Sequence, residues 1–163
     1  MKCKGFTIIE LAIVIAIMGI LLVLGVVNLG GSQINARDSE RKADVESIVL
    51  HLDAFYDSGM DTSTSTGRYP STAFITNLAN VKKFLRDIDT KSLTAPNVSD
   101  PMTTFKAATT NNVQNPSISE YIYQPLKKDN TLCKNETEEC RKFKIYYKLE
   151  SDGLVYTATG KNQ

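Results

Sequence analysis

Few side chains among these 163 residues are of the kind that perform chemistry, and their spacing narrows what they could do. His51 is the one histidine. It falls at the edge of a helical apolar stripe, with no serine or cysteine nucleophile placed to use it, so it reads as a boundary side chain and not a general base. Asp100 precedes Pro101 in a loop but lacks the neighbouring carboxylates that calcium requires, which makes calcium the weaker reading there. The sequence has no phosphate-binding glycine loop, dinucleotide fingerprint, H-E-x-x-H motif or paired zinc cysteines. No catalytic residue, cofactor site or metal site is expected. Of the three cysteines, Cys3 sits in a short basic stretch, while Cys133 and Cys140 lie close together near the C-terminal end. In an oxidising compartment that pair closes a small loop as a disulfide, contributing roughly 2–3 kcal/mol on the chain-entropy estimate. Two free thiols are the alternative.

Glu10 is a different kind of feature. Residues 6–29 contain it as their only ionisable side chain, and residues 11–27 are without a single polar one. A helix over 6–29 would reach about 36 Å, enough for a hydrocarbon core of about 30 Å. Lys2 and Lys4 precede the run, so the positive-inside rule places the N-terminus in the cytoplasm and the rest of the chain beyond the membrane. A carboxylate inside a bilayer costs about 2.5–3.5 kcal/mol and so usually has a partner. No Lys or Arg lies between Phe6 and Gln33 to supply one within the helix. Two readings follow: a cation from another chain, such as a free amine at a newly cut Phe6, or a Glu10 that reaches back to the headgroups. A secretory signal fits poorly, because the apolar run is long and no small-residue cleavage site follows it. A lipoprotein signal fits no better, since Cys3 comes before the run.

The stretch Lys4-Gly5-Phe6-Thr7-Ile8-Ile9-Glu10, followed by LAIVIAIMGILLVLG, closely resembles the class III signal of type IV pilins and pseudopilins. The resemblance implies that a prepilin peptidase cuts after Gly5 and methylates the new N-terminal Phe6. It also implies that Glu10, the fifth residue of the mature chain, meets the N-terminal amine of a neighbouring subunit. Gly19 matches a glycine of the family's helix. Val27 stands where many pilins have a proline, and Gly25, Gly30 and Gly31 offer comparable weakness, at about 1 kcal/mol each. Farther on, Gly67-Arg68-Tyr69-Pro70 resembles the G-x-Y-P turn that follows the long helix in many members.

The remainder is ordinary in composition. Nineteen basic and eighteen acidic residues give a formal charge of +1, which argues against a strongly basic nucleic-acid protein and against an acidic tail. Residues 36–46 are dense in alternating charge, and Asp38–Lys42 and Lys42–Glu46 have the spacing of helical ion pairs. Val45, Ile48, Leu52 and Phe55 form an apolar stripe at helical spacing. Arg37 and Arg41 project on the same side, so the helix is expected to leave its domain before about Val45, while Leu50 faces the other way. A Ser/Thr/Gly-rich loop ends this helix. Phe74, Leu78, Val81, Leu85 and Ile88 predict a second amphipathic helix, and the Pro- and Asn-rich residues 90–119 predict a long surface connection. Alternation at Phe143, Ile145, Tyr147 and Leu149 predicts a half-buried strand, Ser151-Asp152-Gly153 a turn, 154–159 a second strand and 120–124 a third. Lys142, Lys144 and Lys148 with Tyr146 make a basic strand face, which keeps DNA as a weak candidate partner beside plain protection against edge aggregation.

The expected fold is α+β and type IV pilin-like: a long N-terminal helix, half transmembrane and half amphipathic, packed on a small C-terminal antiparallel sheet. The divisions are 1–5 as leader, 6–29 as transmembrane and assembly helix, 30–57 as amphipathic spine, and 58–163 as globular head. The resemblance implies a non-enzymatic filament subunit, held in the cytoplasmic membrane by one span before it enters an extracellular pilus. Implied partners are other copies of the chain, minor pilins, the peptidase and an assembly platform. A type II secretion pseudopilin or a minor pilin is the alternative within the family. A single-span anchored enzyme or binding domain is the alternative outside it.

Overall fold

The computed structural model describes residues 5–27, 29–59 and 66–162. The basic residues Lys2 and Lys4, with Cys3 between them, lie outside the described residues, as does the middle of the Ser/Thr-rich loop. The chain divides into two compact units, Met1–Ala36 and Arg37–Gln163.

The first unit contains α1 (Ile8–Val27) and the opening of α2 (Leu29–Ser58). Every residue from 5 to 25 is exposed. Such a sequence stays helical because the helix satisfies its own backbone hydrogen bonds, the one requirement an apolar solvent imposes on a single segment. This is the one helical stretch among the described residues long and apolar enough to cross a membrane.

In the second unit α2 supplies one wall of the core. Its buried positions include Asp38, Arg41, Val45, Ile48, Leu52 and Phe55, a stripe at spacings of three and four, with Asp44 and Asp53 buried beside it. Opposite it lies a four-stranded sheet in the order β1 (Phe105–Ala107), β2 (Tyr121–Leu126), β3 (Lys142–Lys148) and β4 (Val155–Thr159). Tyr121, Tyr123, Phe143 and Ile145 bring its inner face into the same cluster as the α2 stripe, and Val81, Phe84, Leu85 and Leu93 fill the side. Phe55 meets Phe84 edge-on at 6.1 Å, and Tyr69 meets Phe143 edge-on at 4.7 Å. A long N-terminal apolar helix followed by a small sheet is the α+β arrangement expected from the sequence. Leu50, as projected, is exposed.

Four details differ from the sequence-based expectation. The charged turn before Val45 does not leave the domain. Arg41 is 2% exposed and Asp38 4%. They pair at 2.8 Å, Asp38 accepts the amides of Glu150 and Ser151 at 2.8 and 2.9 Å, and the Arg41 Nε donates to the Ile118 carbonyl at 3.0 Å. Glu150 in turn accepts the Arg37 guanidinium. The burial of both charges is tolerated because each is paired and hydrogen-bonded. Second, α3 covers only Leu78–Phe84. Phe74 lies in a preceding 3₁₀ turn, Leu85 is the C-cap, and Asp87 adopts a left-handed φ of 60° that a helix cannot continue through. Third, residues 90–119 are no mere surface connection: they include the four-residue helix α4 (Pro101–Thr104) and β1, and they bury Leu93, Ala95, Thr104, Phe105 and Ala108. Because β1 runs parallel to β2, the sheet is mixed and not wholly antiparallel. Fourth, Tyr146 is buried on the outer face, where its hydroxyl donates to Gln124, whose amide donates to the Thr110 and Asn112 carbonyls.

The chain end is clamped on α2. Asp53 is buried and accepts the Tyr69 hydroxyl at 2.8 Å and the Lys161 amide at 3.1 Å. A Cβ at Gly160 would stand 2.4 Å from Asp53 Oδ1, 2.5 Å from Phe143 and 2.8 Å from the Tyr69 oxygen. Gly160→Ala is therefore expected to destabilise this unit by about 3 kcal/mol, read as a lower denaturant midpoint with unchanged slope. A midpoint shift within error would refute the clamp. Asp44 gives a prediction with a defined pH window. Burial raises its carboxyl to about 6, outweighing the Tyr121 hydroxyl that donates to it at 3.1 Å, with Glu40 adding to the rise, Lys91 opposing it and Asp89 adding again. A folded-state value above the unfolded one means stability present below about pH 4 and lost as pH rises toward 6. Asp44→Asn should match the parent near pH 4 and exceed it by roughly 1–3 kcal/mol above pH 6. Equal stabilities at both pH values would exclude this account.

Candidate functional site

Residues 5–7 are irregular backbone leading into α1, and both Gly5 and Phe6 are exposed, Phe6 at 85%. The Gly5–Phe6 peptide bond thus lies just ahead of the helix, where no helical hydrogen bonding would have to break before the bond is reached. The helix begins because of the next four residues. The Thr7 carbonyl accepts from Leu11 N at 3.2 Å, and the Thr7 hydroxyl accepts from Glu10 N at 3.2 Å. Glu10 Oε2 accepts the Thr7 amide at 2.9 Å and the Thr7 hydroxyl at 2.7 Å. This reciprocal pair is a capping box, satisfying two amides that the first turn would otherwise leave unpaired. The signal is present in the sequence as T-x-x-E ahead of an apolar run: Glu10 has no cation within its helix but has Thr7 as a hydrogen-bond partner.

Downstream, α1 is uncovered on all sides. Ile15, Ala16, Gly19, Ile20, Val23 and Leu24 line a shallow apolar depression of about 380 Å³. The depression exists because Ala16 and Gly19 are small between larger neighbours, and small residues allow a second helix to approach closely. Gly19 has nothing within 4 Å of where a Cβ would stand.

The remaining candidates lie in the second unit. Cys133 and Cys140 form a disulfide with Cα atoms 5.7 Å apart, and both are buried. The Tyr69 amide donates to the Cys140 carbonyl at 2.8 Å and the Thr72 amide to the Cys133 carbonyl at 3.1 Å, so the bridged loop holds the Gly67-Arg68-Tyr69-Pro70 turn. Arg141 adds a bond to the Gly67 carbonyl at 2.7 Å. His51 contacts the Ser47 carbonyl through Nδ1 at 2.7 Å, one turn back along α2. Asp100 caps α4 by accepting Met102 N at 2.9 Å. Among the described residues, no group of three or more His, Cys, Asp or Glu side chains is gathered as a metal would need.

An exposed Gly–Phe bond, a capping carboxylate four residues after that phenylalanine and an uncovered apolar helix therefore occupy one continuous stretch. Residues 1–26 carry the prokaryotic N-terminal methylation motif. This is the class III signal of type IV pilins and pseudopilins. The motif is the one carried by prepilin peptidase substrates of the pilin and pseudopilin kind, and it covers residues 1–26 of the 163. Comparisons with curated proteins and with solved structures give no match. The motif ends within α1 and does not reach Arg37–Gln163.

The capping box can be tested directly. Thr7→Ala removes the hydroxyl that caps Glu10 N, worth about 1 kcal/mol. In detergent micelles, amide exchange at Ile9 and Glu10 should accelerate about fivefold, while Thr7→Ser leaves it near the parent rate. Equal rates in all three chains would mean that the box does not hold the helix start.

Proposed function

We propose that the chain is the structural subunit of a type IV pilus-like extracellular filament. A prepilin peptidase cuts after Gly5 and methylates the Phe6 amine. The subunit waits in the cytoplasmic membrane with α1 in the bilayer, and an assembly platform draws it into the fibre. There Glu10 meets the Phe6 amine of another copy, and the helices pack along residues 6–29 to form an apolar core, with minor pilins as further partners. The observation that carries this reading is the coincidence of register. The exposed Gly5–Phe6 bond, the Glu10 carboxylate at the helix start and the uncovered length of α1 follow one another as cleavage, docking and packing require.

Within this family, a secretion pseudopilin would gain support from a calcium loop near Asp100. Asp100 caps α4 through one oxygen, accepting the Met102 amide at 2.9 Å. The anchored-domain alternative accounts for the exposure of α1 by lipid but leaves the methylation motif and the small-residue depression at Gly19 without a use.

Intact mass and N-terminal sequencing of material sheared from the cell surface should show a chain beginning at methylated Phe6, lighter by two hydrogens at the Cys133–Cys140 bridge. Glu10→Ala should leave cleavage intact and stop the subunit from leaving the membrane. A chain still starting at Met1 and confined to the membrane, or a Glu10→Ala variant that assembles normally, would count against the filament.

A further inference from the structure

The strand order leaves β1 and β4 with one free edge each. β1 is three residues long and carries Lys106 at its centre, and both features discourage a further strand. β4 has neither. Val155–Thr159 reads VYTAT, β-branched or aromatic at every position but Ala158, with no lysine or proline and an unbroken register against β3. The direction of its free backbone groups follows from the turn before it. The Leu149 amide donates to the Leu154 carbonyl at 3.1 Å, one step beyond the Lys148–Val155 pair, so Leu149 and Leu154 face each other as a hydrogen-bonded pair. Alternation makes Tyr147–Tyr156 and Ile145–Ala158 hydrogen-bonded pairs as well. The N–H and C=O groups of Val155, Thr157 and Thr159 therefore point away from β3. Thr157 and Thr159 are exposed, and among the described residues no other backbone segment bonds to this edge.

The two faces beside this edge differ in chemistry. On the core side stand Leu154 and Tyr156, both exposed, with the Tyr156 ring 5.9 Å from that of Tyr147. On the outer side Val155, Thr157 and Thr159 lie opposite Lys148, Tyr146 and Lys144 of β3, and no acidic side chain stands among them. The carboxylates of the preceding turn are engaged elsewhere. Asp152 accepts the Leu154 amide and the Tyr156 hydroxyl, and Glu150 accepts the Arg37 guanidinium. A strand laid along β4 would thus meet apolar surface on one face and uncompensated lysines on the other.

We infer that the β4 edge accepts an extended peptide segment of another protein in which apolar and acidic side chains alternate. Main-chain hydrogen bonds at a sheet edge give affinity, and the alternating side chains give selectivity. Apolar side chains of the added strand fall beside Leu154 and Tyr156. Acidic ones fall on the side of Lys144 and Lys148, about 10 Å away across two strand spacings, which a lysine and a glutamate reaching toward each other can span. A second copy of this chain does not supply such a strand. Its acid–apolar–acid stretches are Asp44-Val45-Glu46 and Asp87-Ile88-Asp89, and both are folded away with Val45 and Ile88 in the core. The inference does not depend on polymerisation, and its test uses the full-length chain dispersed in neutral detergent, so its failure leaves the filament proposal untouched.

The probe is a synthetic peptide of about seven residues that alternates valine with glutamate, capped at both ends and added at about 1 mM. Amide exchange at Val155, Thr157 and Thr159 should slow about fivefold, while Tyr156 and Ala158, already bonded to β3, keep their rates. A valine–lysine peptide should leave the three rates within about 1.5-fold of the free protein. Thr157→Pro removes an amide that points away from β3, so the ladder stands, and Val155 and Thr159 should then exchange alike with and without the peptide. The valine–glutamate peptide N-methylated at its glutamates, whose amides would face β4, should have no effect on the unaltered chain. No slowing by the first peptide, equal slowing by the lysine or N-methylated peptide, or undiminished slowing in Thr157→Pro would each overturn the inference. So would protection of the same amides that rises with protein concentration in the absence of peptide, since a second copy would then hold the edge.

Discussion

A helix whose side chains from Ile8 to Leu24 all lie exposed sets the terms for everything else in this molecule. Each Leu, Ile or Val left in water forgoes about 1.5–3 kcal/mol, and α1 has more than a dozen such side chains, so its exposure to water is untenable. Lipid can cover it, and so can the same helix from other copies. The two environments are nearly equivalent for a hydrocarbon surface, which lets one segment serve in both. What distinguishes them must then be the few features that are not hydrocarbon: the depression at Ala16 and Gly19, which rewards close approach of another helix, and the carboxylate of Glu10.

The second unit solves a different problem, that of gripping a helix on one face. The α2 stripe is apolar from Val45 to Phe55, and there burial and shape suffice. Ahead of it the same stripe turns to Asp38 and Arg41, and the grip becomes one of ion pairs and backbone amides. Burial alone would raise the Asp38 carboxyl, but the amides of Glu150 and Ser151, the Ser151 hydroxyl and Arg41 outweigh it and hold it down to about 2. The consequence is directional: Asp38 accepts from the β3–β4 turn, and Arg41 donates to the Ile118 carbonyl, so two separate segments are tied to one turn of α2. Removing one member would strand a buried charge, whereas an apolar replacement of the whole set would lose this orientation while keeping the burial.

Legibility in the sequence followed the range of the forces involved. The apolar run, the α2 stripe, the positions of β2, β3 and β4 and the outward direction of Leu50 are periodic signals, and each residue carries its own share. The burial of Asp38 and Arg41, where the sequence has the helix leaving its domain, is not legible because their partners, Glu150 and Ile118, are distant in sequence and carry no local mark. β1 was missed for a related reason: three residues in a Pro- and Asn-rich stretch form a strand only because β2 lies alongside. Tyr146 broke the alternation because the 110–112 segment folds over the outer face and gives Gln124 and Tyr146 a polar interior of their own. At the N-terminus the residues of the motif are plain in sequence, while the internal role of Glu10 rests on Thr7 three residues before it and not on its charge.

That internal role bears on how one carboxylate could serve two states. Both bonds from Thr7 fall on Oε2 of Glu10. A carboxylate has two oxygens and room for about four donors, so the capping box uses half of its capacity. In a lone subunit the box places the negative charge at the positive end of the helix dipole and gives it donors, easing its cost near the membrane surface. It also fixes the side-chain rotamer and leaves Oε1 free to accept another donor. An amine arriving from a second chain would then meet an acceptor already oriented and would not need to displace the cap. The entropy of ordering the carboxylate would be met before a second chain arrived, so more of the attraction between the two charges would remain to hold the chains together.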